Sequence, residues 1–346
     1  MNKIYYSIIF IVTVILVEIV ATKAFPMYSD DKTYKKMVFD RVMNSAVILN
    51  SNKNNYSRKF GFLNSPNWSH SYQTSNLNYS VKTNSLGFRT KEIIKKNNEY
   101  RVMLIGDSYI YGWGVNHNEM ISSQIEDISK KKHDKLVSVF NFGHNGYNNL
   151  QELLVAKTFF DTLDADHIIL GLFIGNDILA NSISYINEQG NYSIDSTLLA
   201  KMKSRVDGEL AIFNYFTIGR IIANRFLLAK VRYKISKDVI SRTYDILDEF
   251  NNFANFNNIA FSVVVIYPPT SSSGTLAKAF IKSKEVGIMI DSWCKQNSID
   301  VINMIDYINS KHHKNDYYIP NDGHTNSKGN FIIANAIYDA IKKDIR

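Results

Sequence analysis

Short apolar runs that alternate with longer amphipathic stretches are the feature that most constrains the fold of this sequence. Five runs have the length of a strand: Arg101–Ile105, Val137–Phe142, His167–Ile174, Ala260–Tyr267 and Asp300–Met304. Each is followed by a stretch with the length and periodicity of a helix: Asn118–Lys131, Asn149–Leu163, Ser236–Phe253, Leu276–Gln296 and Ser327–Lys343. Strands that alternate with helices predict an α/β fold whose parallel sheet is covered on both faces.

Composition narrows the possibilities further. The chain has 346 residues, of which 45% are apolar and 13% aromatic, so it can bury a sizeable core and is not a disordered chain. Its single cysteine, Cys294, excludes an internal disulfide and a cysteine-based zinc site. The formal net charge of +8 would suit nucleic acid, but the lysines are scattered and no recognition signature is present. We therefore predict no nucleic-acid partner.

The N-terminal segment, residues 1–24, is predicted to be a membrane anchor or a signal segment. Its apolar stretch runs from Ile4 to Val17 and continues to Ala21 around Glu18. These roughly 18 residues are just long enough to span a bilayer. A signal peptide cleaved after Ala24 is the alternative, but the charges at Glu18 and Lys23 are poorly placed for cleavage there. We favour the anchor.

Charge alone would place the body of the protein inside the cell. Only Lys3 and the amino terminus precede the apolar stretch, whereas five basic residues follow it: Lys23, Lys32, Lys35, Lys36 and Arg41. Lysine and arginine are enriched on the cytoplasmic side of membrane spans, so this count argues against export.

We divide the rest of the chain into a stalk and lead-in, residues 25–98, and a domain, residues 99–346. The lead-in is polar and poorly periodic, with a short strand and turn expected near Asn84–Arg89. The domain carries an insertion at residues 179–235, and insertions of this length often form lids or binding elements. We predict one amphipathic helix over Ala211–Lys234, which either packs on its own domain or faces a membrane surface or an acidic glycan.

A Gly-Asp-Ser sequence at the end of the first apolar run is the most informative motif. It places Ser108 at the carboxyl end of a strand, where open α/β sheets bind ligands. A serine there can present its hydroxyl to a substrate and its N–H to a developing oxyanion, as acyl transfer requires. By itself the motif also fits an ordinary capped turn.

Three later blocks raise the weight of this interpretation. Gly146 and Asn176 follow the second and third runs, and they can offer a backbone N–H and a side-chain N–H beside the Ser108 amide. His324 precedes the last predicted helix and can act as a general base, held by Asp322 or another acceptor.

In this order the blocks resemble those of the SGNH or GDSL hydrolase superfamily. The resemblance covers Arg101–Arg346 and implies a flavodoxin-like three-layer α/β/α sandwich. It also implies that Ser108 is the nucleophile, that Gly146 and Asn176 are oxyanion donors, and that His324 is the base. The lead-in Asn84-x-x-Gly87-x-Arg89 and the run Gly146-Tyr-x-x-x-Gln151 are similar to those of bacterial envelope members with an N-terminal anchor, which favours export.

Two positions depart from the family pattern. The usual spacing is Asp-x-x-His, but Asn321 stands three residues before His324 and Asp322 stands two before it. We expect Asp322 to orient the imidazole. In the third block, Gly175 directly precedes Asn176 instead of standing one residue earlier.

These observations predict a membrane-anchored, extracytoplasmic serine esterase or O-acyltransferase that needs no metal or organic cofactor. Its substrate would be an acylated small molecule or polysaccharide, with a short acyl group such as acetyl on a cell-envelope carbohydrate. A non-catalytic glycan-binding protein with the same fold and a cytoplasm-facing lipid esterase are the alternatives. The sequence leaves the oligomeric state open.

Overall fold

The computed structural model of the chain describes residues 2–43, 56–74, 77–132, 136–268, 275–308, 316–320 and 322–345. The N-terminal part begins with three helices, α1 (Asn2–Ala24), α2 (Pro26–Ser29) and α3 (Asp31–Met43). Two antiparallel hairpins follow, formed by β1 (Tyr56–Ser57) with β2 (Gly61–Phe62) and by β3 (Ser69–Gln73) with β4 (Asn78–Lys82).

The domain then alternates strands with helices. Its first half comprises β5 (Glu99–Gly106), α4 (Ser108–Tyr111), α5 (Ile121–Lys132), β6 (Leu136–Asn141), α6 (Asn149–Leu163) and β7 (His167–Phe173). The insertion comprises α7 (Asp177–Asn181), β8 (Ser184–Ile186), β9 (Tyr192–Ile194), α8 (Ser196–Glu209), α9 (Thr217–Phe226) and α10 (Leu228–Val239). The second half comprises α11 (Ser241–Phe256), β10 (Ala260–Ile266), α12 (Thr275–Gln296), β11 (Asp300–Asn303), α13 (Ile305–Ile308) and α14 (Ser327–Ile341).

Five strands form one parallel sheet in the order β6-β5-β7-β10-β11. This is the flavodoxin-like order, in which the first strand lies between the second and third, so the predicted fold class is confirmed. Every residue of β7 is buried, as expected for a strand covered on both faces. Helices α5 and α14 pack against each other, as do α6 and α11. Right-handed crossovers place these two pairs on opposite faces of the sheet.

A second apolar core joins the insertion to the N-terminal part of the chain. It contains Tyr34, Val38 and Val42 of α3 together with buried side chains of α7, α8, α9 and α10. The sequence pattern predicted no helix over Asp31–Met43, because the apolar side chains of α3 are sparse and meet their partners only across about 170 residues of chain. The expected turn at Asn84–Arg89 is present, but the strand beside it, β4, ends at Lys82.

The single helix predicted over Ala211–Lys234 is wrong. The segment consists of a 3-10 turn at Ala211–Phe213 and parts of the two helices α9 and α10, with a break before Thr217 and another at Leu227. The predicted helix Ser236–Phe253 is likewise divided at Ile240, between α10 and α11. Amphipathic periodicity persists through such breaks, so it does not locate them.

Helix α1 is long and apolar enough to cross a membrane. Its span Tyr5–Ala24 has a mean hydropathy of 2.2 and almost no surface buried within the protein. The predicted N-terminal apolar helix is therefore present, and its insertion in a membrane stays a prediction.

Candidate active site

Ser108 lies where β5 ends and the short helix α4 begins, at the carboxyl edge of the sheet. The α4 turn packs so closely on the sheet that only glycine fits beneath Ile110. A Cβ atom on Gly106 would lie 2.3 Å from Cγ1 of Ile110, and one on Gly171 would lie 2.5 Å from it. Asp107 caps α4, because its Oδ1 accepts a hydrogen bond of 2.9 Å from the N–H of Tyr109. The local sequence thus holds the serine at the edge of the sheet.

The structure brings Ser108, His324 and Asp322 together. His324 Nε2 lies 2.7 Å from Ser108 Oγ, although the two residues are 216 positions apart in the sequence. The other ring nitrogen, Nδ1, contacts Oδ1 of Asp322 directly. The same oxygen accepts a hydrogen bond of 3.1 Å from the backbone N–H of His324. The side chains form a continuous Asp–His–Ser chain despite the shortened spacing.

Trp113 holds the second oxygen of the aspartate. Its indole Nε1–H donates a hydrogen bond of 3.1 Å to Oδ2 of Asp322, and its ring centroid lies 6.0 Å from that of His324. Nothing in the local sequence pattern of this tryptophan indicated a bond to Asp322. Its place five residues after Ser108 was the one available signal.

Several opposing effects set the ionisation of Asp322. Burial raises the pKa of its carboxyl, but hydrogen bonds from His324 and Trp113 and the charge of His324 outweigh that effect. The pKa of Asp322 is therefore below its ordinary value. The side chain is an anion at neutral pH, as a partner for a protonated imidazole must be.

Two buried side chains secure the loops that carry these groups. Tyr109 donates its hydroxyl to the carbonyl of Gly323 at 2.8 Å and packs its ring against His324. Arg89 is almost fully buried and donates hydrogen bonds to four backbone carbonyls, those of Ser80, Tyr111, Gly112 and Val115. These bonds fasten the loop that bears Trp113.

Gly146 and Asn176, the predicted oxyanion donors, lie in the loops that follow β6 and β7, the two strands flanking β5. Both residues are buried. Gly146 has a φ of +75°, in the left-handed region that favours glycine. The Ser108 N–H belongs to the first turn of α4, whose amide groups have no partner within the helix. All three predicted donors therefore lie at one edge of the sheet.

Three buried carboxyl groups lie behind this edge. The amide of Asn149 donates to Oε2 of Glu152 at 2.7 Å and to Oδ2 of Asp177 at 3.2 Å. Burial raises the pKa of Glu152 and of Asp177 well above the usual range, and their mutual repulsion adds to it for Asp177. Burial also raises the pKa of Asp107 to about 6. These side chains favour their protonated forms far more than exposed carboxyl groups do.

His144, the other histidine near the predicted site, is a buried loop residue. Its ring stacks on that of Tyr147 with centroids 4.7 Å apart, and burial lowers its pKa to about 4. Within the described part of the chain, no three His, Cys, Asp or Glu side chains are grouped so that they could hold a metal ion.

Comparison with protein-family models and with curated proteins found no match. The similar solved structures include GDSL-like lipases and esterases. A GDSL-like lipase from Bacteroides thetaiotaomicron is 16% identical, with 73% of this chain and 93% of that chain covered and a TM-score of 0.41. A Clostridium thermocellum family 3 carbohydrate esterase is 13% identical, with 72% and 98% covered and a TM-score of 0.43. Identities and TM-scores this low assign no activity to the chain.

Proposed function

We propose that this protein is a serine esterase or acyltransferase of the SGNH type. The hydrogen-bonded chain from Asp322 through His324 to Ser108 carries the proposal. In it a hydroxyl nucleophile lies within reach of a general base, which is in turn oriented by an anion. The order of the sequence blocks, which resembles that of the SGNH superfamily, supports the same chemistry.

In the proposed reaction, His324 Nε2 takes the proton of Ser108 as the hydroxyl oxygen attacks the ester carbonyl. The carbonyl oxygen gains a negative charge, which the N–H groups of Ser108 and Gly146 and the side chain of Asn176 stabilise. Protonated His324 then gives its proton to the leaving alcohol, leaving an acyl group on Ser108. Transfer of that group to water makes the protein a hydrolase, and transfer to a sugar hydroxyl makes it an acyltransferase.

A carbohydrate ester with a short acyl group is the substrate that we propose. Aromatic rings at alternate positions, Trp68, His70 and Tyr72, lie in series with centroids 5.5 and 4.5 Å apart, and Tyr72 lies 5.8 Å from Trp113. Rings with polar edges suit the apolar faces and hydroxyl rims of sugars. A surface groove of about 530 Å³ is lined by polar side chains such as Asn78, Asn116 and Asn326 and by Leu77, which belongs to the same apolar cluster as Trp68 and Tyr72.

We propose further that α1 anchors the protein with the domain outside the cytoplasm. The apolar span of α1 and the likeness of the lead-in to envelope proteins support this location. The basic residues that follow α1 favour the opposite orientation. Protease added to intact cells distinguishes the two, because only an exported domain is digested without lysis.

The catalytic proposal is tested with a fluorophosphonate, which reports an activated serine without knowledge of the substrate. The full chain in detergent micelles is incubated with the probe and its intact mass is measured, beside Ser108→Ala and a control variant, Ser193→Ala in β9. We expect one adduct on the wild type and on Ser193→Ala, and none on Ser108→Ala. A folded wild type that takes up no adduct would favour the non-catalytic glycan-binding alternative.

A further inference from the structure

The apolar helix α1 is joined to the insertion by a partly buried polar contact. Glu18 accepts hydrogen bonds from the first two amides of α9, at 2.5 Å from Thr217 N and at 3.1 Å from Ile218 N. The hydroxyls of Thr22 and Thr217 are also 3.0 Å apart. Glu18 is therefore the N-terminal cap of α9. The charge that weakened the signal-peptide interpretation has a partner in the folded chain, which would be lost if the segment were cleaved after Ala24.

Arg220 fixes α2 and the start of α3, the elements that follow α1, to the insertion. Its Nη1 donates to the carbonyls of Tyr28 and Ser29 at 3.0 Å each, and its Nη2 contacts Asp31 at 2.9 Å. The sequence analysis left open whether this part of the insertion packs on its own domain or faces a membrane surface or an acidic glycan, and Arg220 packs within the protein. Arg232 donates to the carbonyls of Arg41 and Val42. Both guanidinium groups are used within the protein.

The length of α1 then determines the depth of the insertion. The span Tyr5–Ala24 has 20 residues, and at about 1.5 Å per residue it is about 30 Å long, the thickness of the hydrocarbon layer. Glu18 lies about 9 Å inside the end of that span. If the hydrocarbon layer ended at Val17 instead, the part of α1 inside it would be about 20 Å long, which is too short to cross the membrane. The amino end of α9, bonded to Glu18, must lie at or within the membrane boundary.

The residues just before Thr217 expose large apolar side chains, as a segment at the membrane boundary requires. Ile212 is 83% exposed, Tyr215 is 80% exposed and Phe216 is 56% exposed. Apolar side chains at and just after the end of α1 are exposed as well, with Val20 65% exposed and Phe25 50% exposed. Large exposed apolar patches mark contacts, and tyrosine is enriched at the boundary between lipid and water.

We propose that residues 211–216, here called the interfacial segment, are embedded in the lipid headgroup region beside α1. The domain is thus held at the membrane by two elements, the anchor and the insertion, and cannot rotate freely on its linker. The proposal rests on the proposed membrane anchoring and is independent of the proposed chemistry.

The test places a fluorescent label in the interfacial segment of the full chain. Ile212→Cys and Tyr215→Cys are labelled with a nitrobenzoxadiazole dye, because the native Cys294 is buried and the parent chain serves as the labelling control. The matched control is Phe256→Cys at the end of α11, where the side chain is 86% exposed. Each protein is reconstituted into nanodiscs of phosphatidylcholine and phosphatidylglycerol, with and without doxyl-labelled lipid.

We expect labels at 212 and 215 to be quenched several-fold more by doxyl lipid than the label at 256, and to be protected from iodide in the water. Quenching by iodide at all three positions would overturn the proposal. Protection from iodide without quenching by lipid would also overturn it, in favour of contact with protein such as a second copy. A chain that fails to elute with the nanodisc would overturn both the anchoring and the proposal. None of these readouts depends on Ser108.

Discussion

Asp322→Asn is the substitution that tests the triad most directly. In the native structure Oδ1 accepts two hydrogen bonds from His324, through the ring and the backbone, and Oδ2 accepts one from Trp113. An asparagine has only one oxygen to replace the two. If that oxygen faces His324, it keeps two of the three bonds and keeps the proton on Nδ1, which leaves Nε2 free to accept the proton of Ser108. In the reverse orientation the oxygen accepts only from Trp113, and the amide N–H donates to Nδ1, which places the ring proton on Nε2 and gives the wrong tautomer.

Each orientation makes two hydrogen bonds, and we take the first, which keeps the native tautomer of His324, as the basis of the prediction. What the variant loses is the negative charge beside the imidazolium. Two unit charges about 4 Å apart at an effective dielectric constant of about 20 attract by about 4 kcal/mol. The side chains of His324 and Asp322 are 25% and 23% exposed, so water screens part of this attraction. We take roughly half, about 2 kcal/mol, which corresponds to about a 30-fold slower acylation.

The rate constant of fluorophosphonate labelling at Ser108, measured by intact mass against time, provides the assay. Asp316→Asn is the matched control, because this aspartate is exposed in the same loop, and it should react like the wild type. A second variant, Asp322→Asn with Trp113→Phe, removes the competing indole donor and should react no more slowly than Asp322→Asn alone.

Two results would refute this reasoning. A loss within threefold would mean that Asp322 does not act on His324. A loss of about 10⁴, the size seen when a triad histidine holds the wrong tautomer, would mean that the amide oxygen faces Trp113 and the amide nitrogen faces His324.

Three further predictions concern the residues around the triad. Trp113→Phe removes one hydrogen bond to a partly screened carboxylate, so we expect about a fivefold lower turnover of p-nitrophenyl acetate, and an unchanged turnover would contradict it. A lysine in Arg89→Lys cannot donate to all four carbonyls as the guanidinium does, so we expect the free energy of unfolding to fall by about 2–4 kcal/mol. The melting temperature of the full chain in detergent should fall accordingly, and an unchanged melting temperature would contradict this prediction. Because burial raises the pKa of Glu152, this carboxyl stabilises the fold fully below its unfolded pKa, and the stabilisation is lost as pH rises through its folded pKa. The melting temperature of Glu152→Gln should therefore be higher than that of the wild type at about pH 8 and equal to it at about pH 4. The same difference in melting temperature at both pH values would count against a buried titrating carboxyl.

The elements that could be predicted from the sequence are those whose pattern is local. The five strands appear as short apolar runs because each is buried on both faces, and β7 is the clearest case. Gly106 beneath Ile110 and the capping Asp107 belong to the motif of Ser108, so the turn that presents the serine is largely a local feature.

The elements that could not be predicted depend on distant partners. Helix α3 is polar along most of its length, and it is stable because its few apolar side chains complete a core with the insertion. The break before α9 follows from its cap, Glu18, which comes from a helix 199 positions earlier. No window of sequence contains both members of either pair.

By itself, the sequence determined the fold class, the place of Ser108 at a strand end, and His324 and Asp322 as its candidate partners. It could do so because the burial of a strand and the residues of a turn show in neighbouring positions of the sequence. Only the tertiary structure decided that the shortened Asp322–His324 spacing still closes the hydrogen-bonded chain, and that Trp113 holds the free carboxylate oxygen. It also decided that Glu18 is a helix cap rather than a stray charge in an apolar segment. These contacts depend on the relative position of loops and helices far apart in the chain, which periodicity and spacing do not encode.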